Sequence, residues 1–374
     1  MAAFRQLRTA LGFVAALGYA PSPSLAQTAV AWANVLQQPA QWYGSTEARA
    51  VADQVLRHQR ASGGWSKNVD MTRPQDPAVV FPDSTIDNSA TTTEMRFLAL
   101  VFRATADVRY RDAVLLGLDY LLAAQYPNGG WPQFFPLRTD YSRYVTFNDN
   151  AMVNVLRVLT DTARARTPFD LADPARRAKA ATAVEKGIDV ILRTQILVRG
   201  QRTAQLTAWC AQYDEVTLEP RGARTYEHAS LSGQETVGIV RLLMDADRGS
   251  NSRAGIVTAI DAAIAWLRSV QITGQRVERR ADVSLPSGYD VVVVADASAP
   301  PLWARFYEIG TNRPIFSGRD GIIRAQLSEI EHERRIGYAW LGTWPQTLLE
   351  RDYPAWQRAE GRAKVPLDWC CPLI

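Results

Sequence analysis

Apolar residues recur at three- and four-residue spacing through seven stretches of the chain: 48–59, 89–105, 111–125, 150–164, 176–195, 230–246 and 254–271. That period puts one apolar face on each segment and predicts a mostly α protein. Strand-like alternation is scarce, and YDVVVVAD at 289–296 is its best candidate. The segment 267–316 carries Pro300-Pro301 among other turn residues. It predicts an irregular or short β excursion between helical stretches rather than a separate domain.

The loops between these helices resemble one another. QRASGGWSKN at 59–68 and QYPNGGWPQF at 125–134 both end a helical stretch, and each leads to an acidic turn just before the next helix, Asp87-Asn88 and Asp149-Asn150. The step is 66 residues from Trp65 to Trp131 and 62 from Asp87 to Asp149. A weaker third copy starts at Trp209, and YAWLGTWPQ at 338–346 reads as a fourth helix end. Repeated helix pairs that bury their faces only against neighbours predict a solenoid or a closed α/α toroid. In a toroid, loops at corresponding ends of the inner helices converge on one face, which brings Asp87 and Asp149 together. Gly-Gly after a helix is a C-cap signal, so Trp65 and Trp131 read chiefly as plugs between helices, with Phe134 and Phe135 taking a secondary share in lining a cleft.

The first 26 residues contain Arg5 and Arg8, an apolar run from Ala10 to about Ala20 and the small-x-small site Ser24-Leu25-Ala26. This is the pattern of an export signal peptide, with a mature single domain over 27–374, secreted or periplasmic. No later run of the sequence is apolar for long enough to span a membrane. Removing the leader takes the formal charge from +4 to 42 − 2 − 38 = +2, too small to indicate a nucleic-acid partner. Three cysteines, Cys210, Cys370 and Cys371, make no disulfide scaffold, and without CxxC or paired histidines there is no zinc signature. With only His58, His228 and His332, a histidine-based triad is disfavoured.

Asp87 and Asp149 each suit helix capping when taken singly. Two at matching repeat positions, beside Asn88, Asn148 and Asn150, also make a hard-oxygen cluster of the kind Ca²⁺ accepts. Arg224 lies in EPRGARTYE, with Arg221 close by and Tyr226 available to stack. Arg305, Arg313 and Arg319 stand among aromatics within 15 residues. Guanidinium forks grip carboxylates and aromatic faces stack sugar rings, a combination suited to an acidic sugar. Lys67 stands out because lysine occurs elsewhere only at 179, 186 and 364.

Six ordered motifs, at 59–68, 84–99, 126–137, 145–152, 209–227 and 306–321, together resemble the family 10 polysaccharide lyases, which are pectate lyases. The resemblance runs from about residue 45 to residue 346. It implies an (α/α)₃ toroid that cleaves polygalacturonate by calcium-assisted β-elimination, working as a monomer. It also implies Asp149 as the principal calcium ligand, Asp87 as the second carboxylate, Arg224 as the base, and Lys67 and Arg313 as substrate-carboxylate contacts. Asn88, Arg305 and Tyr226 complete the expected substrate set. An arginine base demands surroundings that favour its neutral form, so an alkaline optimum is expected. Three other readings stay open on the residues alone. These are a hydrolase using Asp87 and Asp149 as paired carboxylates, a calcium-dependent sugar-binding protein without catalysis, and a terpene cyclase, which the lack of a DxDD run disfavours.

Overall fold

The computed structural model describes residues 30–75, 83–199, 204–246 and 253–362. The leader pattern and Cys370 and Cys371 lie outside these residues. Nine α-helices are present among the described residues: α1 (Thr46–His58), α2 (Thr92–Thr105), α3 (Val108–Ala123), α4 (Ala151–Ala163), α5 (Pro174–Thr194), α6 (Glu235–Ala246), α7 (Arg253–Ser269), α8 (His332–Gly337) and α9 (Tyr353–Ala359). All seven long periodic stretches are helical. Three helical hairpins, α2/α3, α4/α5 and α6/α7, form an α/α toroid with α2, α4 and α6 on the inside. The outer helices α1, α3, α5 and α7 stack in succession, each burying its apolar face against the next. The 267–316 excursion is the antiparallel hairpin of Gln275–Ala281 and Tyr289–Ala295, together with short bridging strands.

Each outer helix ends in the same device. The indole N–H of Trp65 donates to Val55 O at 2.8 Å, that of Trp131 to Leu121 O at 2.8 Å, that of Trp209 to Ile191 O at 2.7 Å and that of Trp303 to Leu267 O at 2.8 Å. All four rings are buried, each plugging the end of its helix while donating to a carbonyl of the helix's last turn. The glutamine before the first three is a clamp. Gln59 Nε2 donates to Gly63 O and to Ala113 O of the next outer helix at 2.7 and 2.9 Å. Gln125 does the same to Gly129 O and Ala183 O, and Gln195 to Thr207 O and Ala259 O. Gly63 and Gly129 have φ of +98° and +99°, and a Cβ there would lie 2.4 and 2.3 Å from carbonyl oxygens of Leu116 and Lys186. Both the conformation and the space require glycine.

The fourth station is therefore Trp303 and not the YAWLGTWPQ segment, whose Trp340 donates instead to Arg334 O of α8. No Gly-Gly precedes Trp303, so the sequence lacks the turn signal that marks the first two stations.

Candidate active site

Backbone hydrogen bonds fix how the loops correspond. Ile86 N donates to Gln133 O, Phe147 N to Ala211 O and Gly233 N to Arg305 O. Each acceptor lies two residues past a station tryptophan. Asp87 thus corresponds to Asn148, and Asn88 to Asp149, one residue away from the Asp87–Asp149 equivalence expected from spacing. The torsion angles agree: Asn88 (φ 51°, ψ 35°) and Asp149 (φ 50°, ψ 32°) both occupy the left-handed region inside short 3₁₀ turns, Asp87–Ser89 and Asn148–Asn150. For non-glycine residues this costs about 1–3 kcal/mol each and persists where the surroundings over-determine it, commonly at functional sites. Neither aspartate side chain caps its helix.

The two turns pack against each other at the mouth of the inner helices, joined by Asn154 Nδ2 donating to Ser89 Oγ at 3.1 Å. Asp87 is buried, with Oδ2 accepting from Lys67 Nζ at 2.5 Å and Oδ1 without a hydrogen-bond partner. Lys67 also lies 5.5 Å from the centroid of Phe134. Asn88 Nδ2 donates to Asn68 Oδ1 at 2.9 Å.

Asp149 Oδ2 accepts from Asn148 Nδ2 at 2.8 Å, and Oδ1 from Arg305 Nη2 at 2.9 Å. The same Arg305 nitrogen donates to Glu235 Oε1 at 2.8 Å, and the guanidinium lies 4.7 Å from the Tyr338 ring centroid. Burial disfavours the Arg305 cation, but Glu235, Tyr338 and Asp149 more than offset this and hold its pKa above the usual arginine value. Arg305 is thus a buried cation tied to Asp149 and Glu235. Lys67 and Arg305 occupy equivalent positions two residues past their tryptophans, where the intervening stations carry Gln133 and Ala211.

On the facing side, Arg224 packs 4.9 Å from the Tyr226 centroid and 5.8 Å from that of Tyr338. Its Nε donates to Glu227 Oε2 at 2.7 Å and its Nη2 to Glu227 Oε1 at 2.5 Å, while Tyr338 OH donates to Glu227 Oε1 at 2.8 Å. Arg221 turns away to Asp214 at 2.9 Å, so Arg224 is the arginine of that loop that joins the tyrosines. The hydrogen-bonded Glu227 raises the Arg224 pKa, outweighing the opposite effect of partial burial. The expectation that the surroundings favour neutral arginine is corrected here, because a carboxylate fork stabilises the cation. Burial and the Glu227 and Asp87 charges raise the Tyr141 hydroxyl while Arg224 lowers it, which puts Tyr141 within electrostatic reach of both walls.

Arg313 is not brought to this cleft. It sits on an exposed turn, 75% exposed at its side chain, and pairs with Glu308 at 2.8 Å. The residues that sequence reasoning missed are Glu235, Tyr338 and Arg334, the last lying 4.7 Å from the Tyr226 centroid. No local pattern marks them, since the chain folds them in over long range.

Among the described residues no group of three His, Cys, Asp or Glu side chains is arranged to hold a metal ion. The unpartnered buried Asp87 oxygen, with the Asp149 carboxylate on the neighbouring turn, nonetheless suits a hard cation whose remaining ligands come from elsewhere.

A helical toroid that gathers two acidic turns and an arginine-tyrosine cluster at the mouth of its inner helices has the build of an enzyme site. A family model described as pectic acid lyase matches residues 59–349. The fold is similar to a family 10 polysaccharide lyase from Cellvibrio cellulosa, with a TM-score of 0.73 and 36% identity over 88% of this chain and 95% of that one. It is also similar to an aspartate-to-alanine mutant of a family 10 lyase from the same organism in complex with trigalacturonic acid, with a TM-score of 0.72 and 37% identity over 86% of this chain and 98% of that one. The comparison with curated proteins found no match. The chain belongs to the pectic acid lyases of polysaccharide lyase family 10, and it is a lyase.

Proposed function

We propose that this lyase cleaves polygalacturonate by calcium-assisted β-elimination, leaving a 4,5-unsaturated residue at one new chain end. One observation carries the reading: the Tyr141 hydroxyl is within electrostatic reach both of Asp87, whose buried Oδ1 has no hydrogen-bond partner, and of Arg224, which packs on Tyr226 and Tyr338. The relative's complex with trigalacturonic acid supports an acidic oligosaccharide as ligand. The leader pattern at the N-terminus supports action outside the cytoplasm.

Asp87 and Asp149 would hold the calcium ion, with the substrate's own carboxylates completing its shell. When bound, the ion supplies charge stabilisation to the uronate carboxylate and so acidifies the neighbouring C5–H. Lys67 and Arg305 fix the orientations of the two aspartates and keep positive charge beside the acidic chain. Arg224 accepts the C5 proton, the C5–H electrons form the C4–C5 double bond, and the C4–O glycosidic bond breaks as the leaving oxygen takes up a proton from solvent water, with Arg224 later returning its proton to solvent.

Glu227 engages Nε and Nη2 of Arg224, which leaves Nη1 without a partner among the described residues. Because the same carboxylate favours the charged guanidinium, the neutral fraction able to accept a proton is small and grows about tenfold per pH unit below its pKa. The rate therefore climbs from neutral into alkaline pH, and a rate that is flat or falling between pH 7 and 10 would remove Arg224 as base. The test of the reaction is near-ultraviolet absorbance on polygalacturonate with calcium or with EGTA. A calcium-dependent rise is expected, whereas reducing ends without absorbance would make the enzyme a hydrolase.

A further inference from the structure

We propose that the cleft continues from the Lys67–Asp87 pair down the groove between α2 and α4 to Arg157, which forms a distal subsite for the carboxylate of a uronate unit remote from the bond being cleaved. This rests on the pectate-lyase reading. Two cavities, of about 220 and 350 Å³, share Ser89 and Thr93 and so form one furrow. The first is lined by Trp32, Lys67, Asn88 and Glu94, and the second by Leu36, Arg96, Asn154 and Arg157. The 3₁₀ segment Trp32–Gln37 contributes to both and runs alongside α2. From the start of α2 at Thr92 to Arg96 the groove descends roughly 6 Å, at about 1.5 Å per helical residue.

Arg157 is the cation in this furrow without a carboxylate partner among the described residues. Its one hydrogen bond is a 3.5 Å contact from Nη1 to Asn154 Oδ1. Arg96, by contrast, is tied to Asp161 at 3.0 Å, and Arg241 to Asp352 at 2.7 Å. The acids that could serve Arg157 are already engaged: Asp161 by Arg96 and Arg166, and Asp245 by Arg164 and Arg166. Desolvation by the surrounding groups and the charges of Arg241 and Arg96 push the Arg157 pKa down, only partly offset by Asp245 and Asp161, so its cation, whose side chain still reaches solvent, is short of full compensation in the free protein. An arriving carboxylate supplies it, through the fork geometry that guanidinium offers.

The upper cavity suits the sugar path between the two ends. Glu94 is buried, with Oε2 lacking a partner, and burial raises its carboxyl to about 8. It is therefore largely protonated near neutral pH, and its ionisation at more alkaline pH adds negative charge beside the path of a polyanion.

The test compares Arg157→Gln and Arg157→Lys with the wild type on polygalacturonate and on short oligogalacturonates that cannot reach the furrow's end. Arg157→Gln should raise KM for the polymer about tenfold, the worth of one charge-assisted contact, with kcat and the short-substrate KM unchanged. Arg157→Lys should recover part of the loss. Unchanged polymer KM, or an equal loss on both substrate lengths, would overturn the subsite while leaving the lyase reading standing. A wild-type enzyme that makes no unsaturated product would remove that reading and the subsite with it. Melting temperatures should stay level, since the Arg157 side chain is exposed.

Discussion

The four tryptophan stations and the positions two residues beyond them obey different rules. Trp65, Trp131, Trp209 and Trp303 are interchangeable in geometry: each is buried, and each hands its indole proton to the last turns of an outer helix. The positions two residues on carry Lys67, Gln133, Ala211 and Arg305, no two alike. The backbones of Gln133, Ala211 and Arg305 nonetheless make the same contact, each carbonyl accepting from the inner-helix turn or its counterpart. The repeat supplies a rigid frame, and the departures from the repeat supply charge. Lys67 meets Asp87 and Arg305 meets Asp149, so the two turns with left-handed residues are flanked by cations at opposite ends of the series.

The largest break in this comparison comes from the frame. Trp131→Ala removes a fully buried ring and its hydrogen bond and should destabilise the protein by about 3–5 kcal/mol, read by denaturant unfolding, with activity falling alongside. A loss of activity with unaltered stability would move Trp131 from the frame to the cleft. Arg224→Ala tests the chemical side. It should lower kcat by ~10²–10⁴-fold, far beyond the loss of stability from leaving the buried Glu227 without its cation, which denaturant unfolding reads separately. Activity within a few-fold of wild type would exclude Arg224 as the base.

Glu94 sharpens the boundary between frame and cleft through pH. Its folded pKa is raised to about 8 by burial, so the native state retains a proton that the unfolded chain has released. Stability from this group is complete below the unfolded carboxyl value near ~4.3 and is lost as pH rises through the folded value. Glu94→Gln should therefore melt increasingly above wild type between pH 5 and 9, whereas parallel melting curves would show that Glu94 does not titrate there. The smallest effect is expected at Arg313→Ala, where an exposed pair with Glu308 is worth at most ~1 kcal/mol. Its kinetics should match wild type, and a raised KM would return Arg313 to the substrate set.

The helices and their order were legible in the sequence because each has a one-sided apolar period and the Gln-x-x-x-Gly-Gly-Trp loops repeat. The register of the acidic turns was not. Asp87 and Asp149 look equivalent along the chain, yet ladder hydrogen bonds align Asp87 with Asn148, a one-residue offset hidden by unequal loop lengths. Arg221, Arg224 and Arg313 look alike as letters near aromatics. What separates them is a carboxylate partner: Asp214 and Glu308 draw two of them outward, and Glu227 draws the third towards Tyr226 and Tyr338. Glu227 was in plain view three residues after Arg224, but its role depends on Tyr338, more than a hundred residues away.

Calorimetric titration of calcium into Arg224→Ala protein, alone and with trigalacturonate present, tests without turnover whether Asp87 and Asp149 hold a cation jointly with the substrate. Weak binding alone and strong binding with the sugar, abolished by Asp149→Ala, is the predicted result. Binding that is equally tight without the sugar, or unaffected by Asp149→Ala, would contradict it.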